Sequence, residues 1–101
     1  MITITINEEG KRLVATIAGD LDNSASSEVE RGLTPVFECT DRDVVIDCSG
    51  LNYISSSGLR IFLNVFKHCR SCGHKAILRH PNEVVLEIFC VGGFLQLFER
   101  E

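Results

Sequence analysis

Three consecutive serines, Ser55-Ser56-Ser57, stand directly before Gly58 and an apolar helical repeat, and their types and position are the best placed in this chain to do chemistry. The first turn of a helix leaves backbone N–H groups without partners and carries partial positive charge, so a phosphate there is held by geometry and dipole together. A phosphorylated serine at this spot adds about 1.5 to 2 negative charges to a neutral, partly apolar surface, enough to expel a docked protein by repulsion and desolvation. The competing reading is that the serines only cap the helix, a role worth about 1 kcal/mol.

Two further sets have reactive residue types. Asp20 and Asp22 lie close enough in sequence for a metal or acid–base reading, against which stands capping and dipole compensation of the helix that follows them. Cys69-Arg70-Ser71-Cys72, flanked by His68 and His74, has the spacing of a redox or zinc motif. That pair falls at a helix C-terminus, however, where the dipole raises a thiol pKa, whereas a redox pair needs the N-terminal end. A zinc site would need a second ligand pair, and Cys39, Cys48 and Cys90 read as core residues. There is no G-x-x-x-x-G-K-[ST] phosphate loop and no G-x-S-x-G elbow, so no catalytic residues, metal or cofactor are expected.

The elements that position these groups follow from periodicity. Ile2, Ile4 and Ile6 alternate with polar residues, Glu8 to Lys11 supply a turn, and Leu13 to Ala18 resume a strand, which makes a hairpin broken at Gly19. Ser24 to Phe37 has helical spacing, with Pro35 kinking or shortening its end. Asp43 to Cys48 is a short β-branched run typical of a strand buried on both faces. After a turn at Ser49-Gly50 comes the strongest helix, Ser57 to Arg70. Its apolar face holds Leu59, Phe62, Leu63, Phe66 and Cys69, widened by Ile61 and Val65. Lys75 to Arg79 reads as a strand, Pro81-Asn82 opens a third helix that ends at Gly92-Gly93, and Phe94 to Phe98 reads as a terminal strand before a frayed acidic tail. The order β-β-α-β-α-β-α-β describes a small α/β domain with a mixed sheet and one layer of helices, residues 1–101 making a single domain.

Composition narrows the function. With 101 residues, a net charge of −4 and a pI near 5.3, the chain lacks the basic footprint of nucleic-acid binding. No run of about 18 apolar residues is present and the N-terminus reads as a strand rather than an export signal, so no membrane span is expected. A cytoplasmic location with five reduced thiols is the expectation.

The segment Asp47-Cys48-Ser49-Gly50-Leu51, followed by Tyr53-Ile54-Ser55-Ser56-Ser57-Gly58-Leu59, resembles the signature of the STAS domains of bacterial anti-sigma-factor antagonists. Gly19-Asp20-Leu21-Asp22 resembles that family's motif before its first helix, and Asn82 through Phe94 its last helix with a glycine–aromatic end, so the likeness spans nearly the whole chain. The resemblance implies a mixed sheet with helices on one face. It also implies a phosphate acceptor two places before the Gly-Leu glycine, which falls on Ser56, with Ser55 and Ser57 as alternative acceptors. A serine kinase that is itself an anti-sigma factor would phosphorylate it and a PP2C-type phosphatase would reverse this, the unphosphorylated form freeing a sigma factor. Many members have Asp where this chain has Ser55, and a small residue where it has Arg60, which either pairs with a phosphate on Ser56 or is a solvated helix charge. The implied contact surface comprises Asp20, Asp22, Asn23, Tyr53, Ser55, Ser57, Gly58 and Arg60, with apolar area from the Ile61 and Val65 face, on a monomer or weak dimer. The rival reading is a module that senses a nucleotide or small anion at the same helix start; a thiol-redox protein using Cys69 and Cys72 is a third.

Overall fold

The computed structural model describes residues 2–101. Strands β1 (Ile2–Glu9) and β2 (Arg12–Leu21) form the expected hairpin, in antiparallel register from Ile2 opposite Gly19 to Glu9 opposite Arg12. β3 (Asp43–Asp47), β5 (Ala76–Arg79) and β6 (Glu99–Arg100) continue the sheet in the order β1-β2-β3-β5-β6, all parallel beyond the hairpin. The sheet is therefore mixed. Strand residues alternate faces, and one face gathers Ile2, Leu13, Ala15, Ile17, Val44, Ile46, Ala76 and Leu78 under the helices. The opposite face has only a small cluster of Val14, Val45 and Ile77, and no helix joins it.

Four helices cover the first face: α1 (Ser26–Gly32), α2 (Thr34–Glu38), α3 (Ser56–Ser71) and α4 (Glu83–Val91). Val29, Leu33 and Val36 anchor the first two, Phe62 and Val65 anchor α3, and Val85 and Phe89 anchor α4, all without solvent exposure. Phe62 and Phe89 meet edge to face at 5.3 Å, which ties α3 to α4. Among the described residues no helix is long and apolar enough to cross a membrane.

Five local expectations are corrected. The helix expected from Ser24 to Phe37 is a 3-10 turn at Asn23–Ala25 and two short helices joined at Leu33. Pro35 lacks an N–H and its ring would strike the carbonyl of Arg31, so the chain stops at Leu33 and restarts with the proline in the first turn of α2. β2 does not break at Gly19 but bulges there and runs on to Leu21; the φ of 109° is one that only glycine adopts readily. A further strand, β4 (Leu51–Ile54), occupies what read as a loop and pairs parallel with the far end of β2. Phe94 to Phe98 is mostly a 3-10 turn rather than a strand, because Phe98 is drawn inward against Phe66 and Phe89. The acidic tail is tied down: Glu101 N–H donates to the Leu78 carbonyl at 2.9 Å, and its side chain meets Arg12 and Arg79.

Candidate functional site

The site forms where β2, β4 and α3 converge. β2 and β4 lie in register with Asp20 beside Tyr53 and Leu21 beside Ile54. The Ser55 N–H donates to the Leu21 carbonyl at 2.8 Å, so the chain turns from β4 into α3 directly against the end of β2. Ser55 is the N-cap: its backbone is extended and its Oγ accepts from the Gly58 N–H at 3.2 Å. Gly58 lets this turn sit close. A Cβ there would lie 2.7 Å from Leu21 Cγ and 2.8 Å from Ile54 Cγ1.

The three serines take different places. Ser55 is buried and occupied as the cap. Ser57 is half-buried, and its Oγ donates to Asn23 Oδ1 at 2.7 Å while lying 2.7 Å from Ser26 Oγ and 3.0 Å from Ser55 Oγ. Ser56 is exposed, at the first position of a 16-residue helix, and its hydroxyl has no hydrogen-bond partner among the described residues. At this position the backbone N–H groups of Ser56 and Ser57 have no preceding helical carbonyl to bond, neither has a partner among the described residues, and the first turn of α3 contains no acidic residue, unlike those of α1 and α4 with Glu28 and Glu83.

Beside the serines, Asp20 is exposed at the end of β2 and Asp22 and Asn23 on the β2–α1 loop that follows it. Asp22 caps the 3-10 turn, accepting from Ser24 Oγ at 2.7 Å and from the Ala25 N–H at 2.9 Å, and these two bonds hold its carboxyl below the usual range. Capping, rather than metal or acid–base work, thus accounts for Asp22. Arg60 is exposed one turn beyond Ser56, in no ion pair among the described residues.

Two expected members of the contact surface face inward. Gly58 is buried and its close approach is to Leu21 and Ile54 of this chain, and the Ile61 and Val65 face is packed into the core at 3% and 0% exposure. The apolar surface lies instead on α4 and β4, where Tyr53, Val84 and Val91 are 46%, 51% and 82% exposed. Together with Ser56, Leu59, Glu87 and Ile88 they line a groove of about 460 Å³. Its sequence signal is that Val84, Ile88 and Val91 repeat at helical spacing on the flank of the buried Val85 and Phe89, where a solvated helix would have polar residues. Ser26 has no such signal in the sequence, since only the folded chain brings it to Ser57, 31 positions away.

The cysteine pair is placed as its helix-end reading requires. Cys69 is buried and its thiol is pushed up to about 11, mainly by burial; Cys72 caps the end of α3. Cys48 is buried with its thiol pushed up to about 12 by the same cause, but Cys39 is only half-buried and Cys90 is exposed, so those two are not core residues as expected. Among the described residues no group of three His, Cys, Asp or Glu is arranged to hold a metal.

A serine-headed helix packed against a β2–β4 pair, with all helices on one face of a mixed sheet, defines a known class: residues 3–100 match the STAS domain, and the chain belongs to that family. Over 95 residues it is 32% identical to a Bordetella bronchiseptica protein designated a candidate anti-sigma factor antagonist, BtrV, covering 94% of this chain and 82% of that one. The fold is similar to that of the anti-sigma factor antagonist SpoIIAA in its unphosphorylated form, with a TM-score of 0.80, 18% identity and coverage of 98% of this chain and 88% of that one. The phosphorylated form of the same protein, from Bacillus, superimposes with a TM-score of 0.73 and 15% identity, covering 98% of this chain and 91% of that one. An anti-sigma factor antagonist from Mycobacterium paratuberculosis gives a TM-score of 0.84 at 19% identity, covering 99% of this chain and 85% of that one.

Proposed function

We propose that the chain is an anti-sigma-factor antagonist that works by partner switching, a one-domain cytoplasmic module that acts by docking and not by catalysis. In its unphosphorylated form it binds an anti-sigma factor that is also a serine kinase, and so releases a sigma factor; phosphate on Ser56 ends that complex, and a PP2C-type phosphatase restores it. The observation that carries this reading is the state of Ser56: an exposed, unpartnered hydroxyl at the head of α3, beside two unpaired N–H groups and no competing carboxylate. Arg60, one turn on, can form a charge-assisted bond with the phosphate. The names of the relatives support the same direction, and one structural neighbour is known in both phosphorylation states.

Ser55 and Ser57 are poorer acceptors, since phosphate on either would break bonds that hold the helix start together. The replacement of the family's frequent Asp by Ser55 has a physical account: the position is the N-cap, where Ser and Asp serve about equally well. The contact surface takes in Asp20, Asp22 and Asn23 on one side of Ser56 and the Tyr53–Val84–Val91 groove on the other. A dianion at the rim of that groove forces a partner's apolar side chains to desolvate it. The rival small-ligand reading has the groove's size in its favour. Its lining, however, includes a carboxylate, Glu87, and no Lys or Arg, which disfavours a nucleotide or inorganic anion.

The test is phosphotransfer from ATP by the serine-kinase anti-sigma factor encoded nearest to the chain's own gene. We expect one phosphate on the wild type, none on Ser56→Ala, and capture of the kinase by Ser56→Ala but not by the phosphorylated protein. Labelling of Ser56→Ala would overturn the assignment.

A further inference from the structure

The hydrogen-bond balance at Ser57 reaches beyond the acceptor serine. A hydroxyl has one proton to donate and two acceptor sites. Ser57 donates its proton to Asn23 Oδ1 at 2.7 Å, so in the contacts with Ser26 Oγ at 2.7 Å and Ser55 Oγ at 3.0 Å it must be the acceptor. Both neighbours can supply a proton. Ser55 Oγ takes the Gly58 N–H on a lone pair and keeps its own proton for Ser57, and the alternative for Ser26, the Asp22 carbonyl, is longer at 3.3 Å. The Ser57 oxygen is thus saturated, while the Ser56 hydroxyl next to it has no partner among the described residues.

What the saturated oxygen joins is more telling than its count of bonds. Asn23 belongs to the β2–α1 loop, Ser26 to the first turn of α1, and Ser55 to the cap of α3. Residues 22–32 and α3 are linked by no other hydrogen bond among the described residues; the remaining bonds of Asp22 stay within its own turn. Asp20 and Leu21 are already held by the backbone, through the β2–β4 pairing and the Ser55 N–H on the Leu21 carbonyl, so it is the stretch beyond them, from Asp22 through Asn23 to Ser26, whose hydrogen bonds to the Ser56 helix all run through one side-chain oxygen.

We infer that Ser57 is a positioning residue, a latch that makes the β2–α1 loop and the acceptor helix a single preorganised docking surface. The functional half of this inference rests on the reading of Ser56 as the acceptor. Without the latch the loop must be ordered when the partner binds, which weakens docking while leaving the Ser56 hydroxyl where it is on α3.

The test uses Ser57→Ala, Asn23→Ala, their double variant and Ser57→Thr in the full chain, with the serine-kinase anti-sigma factor encoded nearest to its gene and Mg-ATP as the probe. The expected result is a KM for the chain raised about fivefold or more in each single alanine variant, the loss of one net hydrogen bond. The double variant should rise no further, kcat should hold, and Thr, which keeps the hydroxyl, should restore KM. Additive effects, a fall in kcat equal to the rise in KM, or failure of Thr to rescue would each overturn the latch. NMR of the chain alone separates this from the acceptor reading: Ser57→Ala should shift and broaden the Asn23 and Ala25 amides and Thr should restore them. If the kinase labels not even the wild type, the acceptor reading falls, and unmoved Asn23 and Ala25 amides would bring down the latch as well.

Discussion

At the scale of single residues, the head of α3 divides its work among neighbours of nearly identical chemistry. Ser55 caps, Ser57 bridges, and Ser56 stays unbound because the helical rotation turns it outward between two inward-facing partners. Gly58 makes this division possible by letting the turn lie on Leu21 and Ile54. In Gly58→Ala the added methyl would meet three side-chain carbons below 3.0 Å, a crowding whose cost, about 2–3 kcal/mol in the upper part of the range for overpacked cores, outweighs the gain of about 1 kcal/mol in helix propensity. We expect a net loss of about 1–2 kcal/mol, seen as a lower urea midpoint at unchanged slope; an unchanged midpoint would contradict the packing described.

Among elements, the pairing of β4 with α4 decides the shape of the groove, and Asn82 makes that pairing. Its Oδ1 accepts from the Val85 N–H at 2.8 Å, capping α4, while its Nδ2 donates to the Leu51 carbonyl of β4 at 3.0 Å. Asn82→Ala removes both, at a cost of about 1–2 kcal/mol. Asn82→Asp keeps the cap and loses the donor, so its loss should be about half as large. Equal losses for the two variants, by denaturant unfolding, would show that the cap contributes nothing. β4 itself was hidden in the sequence: at four residues its burial runs buried, exposed, exposed, buried, with no alternation to read, and its existence depends on the far end of β2 offering an unpaired edge.

Across the whole molecule, the C-terminal residue is joined to the β1–β2 hairpin on the sheet face against which no helix packs among the described residues. Arg79 grips Glu9 through Nη1 and Nη2 at 3.0 and 2.7 Å and Glu101 through Nε at 2.8 Å, and Arg12 reaches the same two carboxylates at 2.8 and 2.6 Å. These cations, Arg79 foremost, lower the Glu9 carboxyl from 4.5 to about 2, and Arg12 foremost lowers that of Glu101. A carboxyl depressed in the folded state stabilises it above the ordinary carboxylate range, and that contribution disappears as pH falls through the folded value. The melting temperature should therefore drop between about pH 4.5 and 2, and drop less in Arg79→Gln; parallel pH profiles for the two proteins would rule the cluster out as a source of acid lability. Both carboxylates are solvent-exposed, so salt should flatten the difference as well.

Local chemistry determined a large share of this protein from sequence alone. The isoleucine alternation of β1, the β-branched run of β3, the apolar stripe of α3 and the capping residues Ser55 and Asn82 all act within a few positions of themselves, and each element they specify is present. The outward place of Ser56 also follows from neighbours in the chain. What only the tertiary structure decided are matters of proximity across dozens of residues: that Ile61 and Val65 are consumed by the core, that Val84 and Val91 are left outside to line a groove, that Asn23 and Ser26 close on Ser57, and that Glu101 is held rather than frayed. Burial depends on which surfaces meet, and hydrogen-bond partners on which loops are folded together; a repeat such as Val84, Ile88 and Val91 marks an apolar face without fixing whether the core or a groove takes it.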